Sequence, residues 1–188
     1  MKSRYLLIIV AAVLFGLAGC NENDYLGEEP DVNLKSAGLK MLPVSWDWDV
    51  VLTQFKFING HPTPVGGPVY GTISHLGELQ EGSFWKAYRY IRNDDIFPST
   101  VDYGITGKLV ADNGDELYFT TEGYIYHLGP VEGKWEGYMY FTGGTGRFEN
   151  VVGEGESFGW LTRDENGIPY SVAMHLDGMI SSVGSSKK

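Results

Sequence analysis

From Glu116 to His127 the chain alternates in polarity. Leu117, Phe119, Thr121 and Ile125 fall on one face of an extended strand, and Tyr118, Thr120, Glu122, Tyr124 and Tyr126 fall on the other. The run around Trp135 repeats the arrangement, with Trp135, Met139 and Phe141 opposite Glu136, Tyr138 and Tyr140. One face is oily and the other is tyrosine with acid, the pattern of strands that pack on one side only. Upstream, Ile105–Asp112 joins the Glu116 strand across Asn113-Gly114, which predicts a hairpin with a type I′ turn. Trp46–Phe57 reads as the first strand and stops at Asn59-Gly60. His61–Pro68 carries three prolines and is expected to be a loop, because proline cannot donate to a ladder. Val69–Gly77 resumes an extended pattern, and Phe84–Ile91 reads as an aromatic strand in preference to a short helix. Val151–Leu161 and Tyr170–Ile180 flank the turn Asp164-Glu165-Asn166-Gly167 and complete the set.

Short strands joined by turns, with no helical period of useful length, imply an all-β sandwich or up-and-down barrel. Glycines inside strands (Gly71, Gly107, Gly123, Gly137 and Gly159) favour the barrel, since they permit the coiling that a closed sheet requires. The stretch Phe141–Gly155 crowds Gly143, Gly144, Gly146 and Gly153 around a corner between two strands, with Phe148 placed to anchor it. The 26 glycines and 14% aromatic content point the same way.

The N-terminus reads as an address. Lys2 and Arg4 precede the apolar run Tyr5–Phe15, which is short for a membrane span and leads into Leu17-Ala18-Gly19-Cys20. This looks like a bacterial lipobox, with the chain's single cysteine at the position that takes the lipid. The expected organisation is a signal peptide over 1–19, acylated Cys20 with an acidic tether over 20–43, a β-barrel over 44–181 and a polar tail over 182–188. Fully extended, Asn21–Pro43 would span on the order of 70–80 Å. Asn21 is not the aspartate that commonly retains lipoproteins at the inner membrane, which favours the outer membrane and leaves its leaflet open. The formal net charge of −10 becomes −12 when Lys2 and Arg4 leave with the signal, a surface that repels nucleic acid. One cysteine permits no intramolecular disulfide, so the core and sheet must hold the fold.

The run Gly143-Gly144-Thr145-Gly146-Arg147-Phe148, followed by Gly153, resembles the turn of the allene oxide cyclase and dirigent-like barrels. Ser74-His75-Leu76-Gly77 and the hairpin Ala111-Asp112-Asn113-Gly114-Asp115-Glu116-Leu117 agree with bacterial relatives of that group, in the expected order. The likeness covers most of Val69–Gly159. It implies an antiparallel closed, calycin-like β-barrel of about eight strands with an apolar interior. It also implies hydrophobic or phenolic ligands and no metal or organic cofactor. His75, Gly77, Asn113, Gly114, Asp115, Gly143, Gly144, Gly146, Phe148 and Gly153 carry the architecture. The catalytic residues of those families have no matches here, so their reactions do not transfer.

Gly144-Thr145-Gly146 is not a phosphate loop, since no Lys-Ser/Thr pair follows and the next element is a strand. His61, His75, His127 and His175 show no pair at metal-ligand spacing, and Asp112–Glu116 lacks the length and register of a calcium loop, so no metal is expected. Acid–base chemistry would fall to His75, Glu122, Glu136 or His175 if any lay inside the barrel, where burial raises a carboxylate's pKa. Their charge places them in solvent instead. Tyr118, Tyr124, Tyr126, Tyr138 and Tyr140 form either the exterior or a lining able to stack on a ring. These readings predict an envelope-anchored, non-catalytic binding or interaction module for a small apolar or aromatic ligand. The alternatives are a cofactor-free cyclase or isomerase acting on a lipid-like substrate, and a structural module with a filled core. Oligomeric state stays open.

Overall fold

A computed structural model of the chain describes residues 39–181. The expected signal peptide, Cys20, most of the expected tether and the expected polar tail lie outside the described residues. Eleven strands follow one another: β1 (Met41–Val51), β2 (Gln54–Ile58), β3 (His61–Tyr70), β4 (Thr72–Ile73), β5 (Gly77–Glu78), β6 (Phe84–Asn93), β7 (Ser99–Val110), β8 (Glu116–His127), β9 (Gly133–Gly144), β10 (Gly153–Arg163) and β11 (Pro169–Ser181). From β6 to β11 each strand pairs antiparallel with the next, and β11 pairs with β1 along its whole length, from Met41↔Ser181 to Val51↔Ser171. β6 also pairs with β3, and β3 returns to β1 through Asp49↔Tyr70 and Val50↔Val69. The pairings therefore close into a barrel-like ring of eight antiparallel strands. β1 begins at Met41, three residues before the expected domain boundary, because Met41–Pro43 already pair with β11.

The expected loop at His61–Pro68 is a strand. β3 pairs with β2 from His61 to Gly66 but meets β6 only from Gly66 onward. Pro64 turns its carbonyl away from β2 to accept from Tyr103 Oη at 2.9 Å, so its missing N–H falls on a side where no strand lies alongside. The single first strand is two, broken at Leu52-Thr53: β1 bonds β11 and the end of β3, and β2 continues along the rest of β3. The second extended run ends at Tyr70, and Thr72–Glu78 forms a small β4–β5 hairpin. The Asn113-Gly114 turn is also corrected. Gly114 has φ +85° but Asn113 does not share the left-handed region, and Ala111 N donates to Asp115 O across a three-residue loop. That is the type I turn with a left-handed glycine, whereas the I′ hairpin is at Asn59 (φ +51°) and Gly60 (φ +78°).

The alternation read in β8 and β9 is the inside and outside of the ring. Leu117, Phe119, Thr121 and Ile125, with Trp135, Met139 and Phe141, are buried, and Tyr118 and Tyr124 are exposed. Trp46, Trp48, Trp85 and Tyr103 enter from the other strands, and Trp46 packs on Phe141 with ring centres 5.2 Å apart. Rings of this size fit because small residues face them. A Cβ at Gly137 would lie 2.4 Å from Trp135 Cζ2, and one at Gly107 2.5 Å from Phe119 Cζ.

The three stretches behind the family resemblance meet at one end of the ring. Asp112 N donates to Leu76 O at 3.0 Å, and Glu116 N donates to Thr145 Oγ1 at 2.9 Å. The Asp115 carboxylate accepts from Arg147 N at 3.2 Å, beside Gly146 with φ +55°. Phe148, fully buried in a short 3₁₀ turn over Gly146–Phe148, pins this corner to the core.

Candidate functional site

The interior comes first, because the expected ligand and the expected acid–base residues both depend on it. Among Trp48, Trp85, Tyr103, Phe119, Trp135 and Met139 about 50 Å³ of free space remains. Drug-sized ligands occupy pockets of roughly 300–1,000 Å³. Two of the buried indoles are satisfied by serines: Trp135 Nε1 donates to Ser157 Oγ at 2.9 Å and Trp46 Nε1 to Ser74 Oγ at 2.8 Å. Among the described residues the fully buried polar ones are Thr63, Ser83, Thr120, Thr121, Ser157 and Ser181, so no carboxylate or imidazole is enclosed in the core.

The four acid–base candidates lie on the outer surface, where Glu122 and Glu136 share a shallow groove with Tyr124, Tyr138 and Phe158 and the two histidines lie elsewhere. Glu122 accepts from Tyr88 Oη at 3.3 Å and stands 3.7 Å from Arg89. Glu136 pairs with Lys134 at 2.5 Å. His75 sits exposed in the turn between β4 and β5 with φ +73°. His175 lies between Asp47 at 2.7 Å and Asp177 at 3.2 Å, and the hydrogen bond to Asp47, joined by Asp177, raises its pKa above the usual histidine value. Tyr118, Tyr124, Tyr126, Tyr138 and Tyr140 all project outward from β8 and β9. Within each strand they neighbour one another, with Tyr138 and Tyr140 5.1 Å and Tyr124 and Tyr126 6.2 Å between ring centres.

Open space lies instead at the end of the ring opposite the glycine corner. There the β2–β3, β6–β7, β8–β9 and β10–β11 connections surround a groove of about 900 Å³. Its rim carries Phe57, Phe97, Ile96 and Ile168, which are 72%, 85%, 54% and 42% exposed. Its floor is cationic. Arg92, at the end of β6, is 7% exposed; it donates from Nε to Asp94 at 2.8 Å and places Nη1 3.3 Å from His127 Nε2. Arg163, at the end of β10, contacts His127 Nδ1 through Nη2 and donates from Nη1 to Gly167 O at 2.9 Å. Arg163 Nε is enclosed with no hydrogen-bond partner. Burial, then the charges of Arg163 and Arg92, push the His127 pKa down to about 4, so the imidazole is neutral near pH 7.

No protein-family model matches the chain, and no curated protein matches it in sequence. The groove had little local signal. Arg92, His127 and Arg163 are 35 and 36 residues apart, each at the end of a different strand, and only the ring brings them together. The signal available was compositional: exposed aromatic residues in turns, Phe57 beside Asn59-Gly60 and Phe97 before Pro98, where polar residues are usual.

Proposed function

We propose that this chain is an envelope-anchored lipoprotein whose ring is a closed, calycin-like barrel of the allene oxide cyclase and dirigent-like kind. The barrel acts as a rigid, non-catalytic module that binds a small apolar or aromatic ligand at one end. The observation that carries this reading is the contrast in space: about 50 Å³ inside the ring against about 900 Å³ in the groove edged by Phe57, Ile96 and Phe97. Of the residues weighed as acid or base, Glu122 and Glu136 share a shallow groove on the outer face of β8 and β9, and His75 and His175 lie elsewhere on the surface, so none of the four faces the interior of the ring.

The anchor and the seat are tested separately. Cells grown with radioactive palmitate label the wild-type protein and leave Cys20→Ala unlabelled; label persisting on the variant contradicts lipidation there. The full chain in zwitterionic nanodiscs binds 4-phenylbutanol, an uncharged aromatic probe. Phe97→Ser, at a residue 85% exposed, weakens that binding at least threefold. Equal binding by the variant places the seat elsewhere.

A further inference from the structure

We propose that the end groove takes a carboxylate-bearing amphiphile, its carboxylate held by Arg92 and Arg163 across His127 and its apolar body against Phe57, Ile96 and Phe97. This rests on the reading of the groove as the binding seat and specifies its chemistry. A neutral imidazole has one lone-pair nitrogen and one N–H. It can accept from only one of the two guanidiniums that contact it, so the other meets a donor. Arg163 Nε adds a further unmatched donor. Enclosed donors without acceptors are costly, and an anion supplies the missing acceptors.

Charge sets the valence of the ligand. Arg92 is paired with Asp94, and among the described residues no carboxylate pairs with Arg163. Two guanidiniums against one contacting carboxylate leave one positive charge. Asp95 also lines the groove with Asp94, so a second negative charge on the ligand would meet repulsion from two aspartates. A planar, singly charged carboxylate with two oxygens matches the guanidinium fork. The exposed Phe57, Phe97 and Ile96 then cover an apolar body, which a free inorganic anion would leave bare.

The test is calorimetric titration of the full chain in zwitterionic nanodiscs, with empty nanodiscs as blank, against 4-phenylbutyrate, 4-phenylbutanol and inorganic phosphate. The acid is expected to bind at least tenfold more tightly than either the alcohol or phosphate. Arg163→Met removes that preference, bringing the affinity for the acid down to that for the alcohol. Raising salt from 50 to 500 mM weakens the acid and spares the alcohol, a check that needs no variant. Equal affinity for acid and alcohol overturns the anion site while the seat survives. Phosphate binding as tightly as the acid overturns the amphiphile. Binding of none of the three overturns both the site and the seat.

Discussion

His127 and His175 sit in opposite electrostatic settings, and the difference has a sign that can be measured. His127 faces Arg163, Arg92 and His61, with Asp94 as the nearby counter-charge, and its pKa falls to about 4. The unfolded chain therefore takes up this proton first as pH drops through roughly 6.5. Its contribution to stability is intact above pH 6.5, declines between 6.5 and 4, and is gone below 4. His175, raised by Asp47 and Asp177, works the other way: its contribution is present below pH 6.5 and is lost as pH rises through its elevated value. His175 is on the surface, where solvent screens the effect, so of the two histidines His127 has the larger effect as pH falls. Between pH 7 and 4.5 the wild type should lose about 3–6 °C more in melting temperature than His127→Gln. Equal losses in the two proteins would show that the imidazole is not held neutral by its arginine neighbours.

At the scale of elements, the tight spots are where paired strands touch through glycine. Gly123 on β8 lies opposite Gly137 on β9, and a Cβ at Gly123 would come 2.3 Å from Glu136 O and 2.5 Å from Gly137 Cα. Both are backbone atoms, so Gly123→Ala must part the two strands. A loss of about 3 kcal/mol and a melting temperature lower by about 10 °C are expected. Gly129→Ala, with nothing within 4 Å, should stay within about 0.5 kcal/mol. Comparable stability of the two variants would refute the close contact of β8 and β9. The same strands show what sequence can and cannot reveal. Alternation in β8 and β9 gave away their inner and outer faces because each strand is buried on one side only. Pro62, Pro64 and Pro68 hid β3: the first two are tolerated because β6 pairs with β3 only through Phe84–Lys86, and Pro68 because it faces Phe84, the first residue of β6, properties of the partner strand. The glycine corner was legible as a corner through its spacing, and its docking on Asp112 and Asp115 was not.

The whole molecule has two unlike ends. β1 starts beside the glycine corner, where Met41 pairs with Ser181, at the end of the ring away from the groove. The acidic surface, net −10 over the chain, surrounds a small cationic floor that four inter-strand connections assemble. That floor, and with it the candidate seat, was illegible before the ring was known, since its arginines share no motif.

Whether binding happens at this end or inside the ring is reported directly by methyl and indole resonances. In the full chain in nanodiscs, labelled at methionine methyls and tryptophan indoles and at the Phe97 amide, 4-phenylbutyrate should be titrated to saturation. Saturable shifts are expected at Phe97, with the Met139 methyl and the Trp135 indole, both in the core, left at their ligand-free positions. Stoichiometric shifts at Met139 and Trp135, with Phe97 unmoved, would contradict binding at this end.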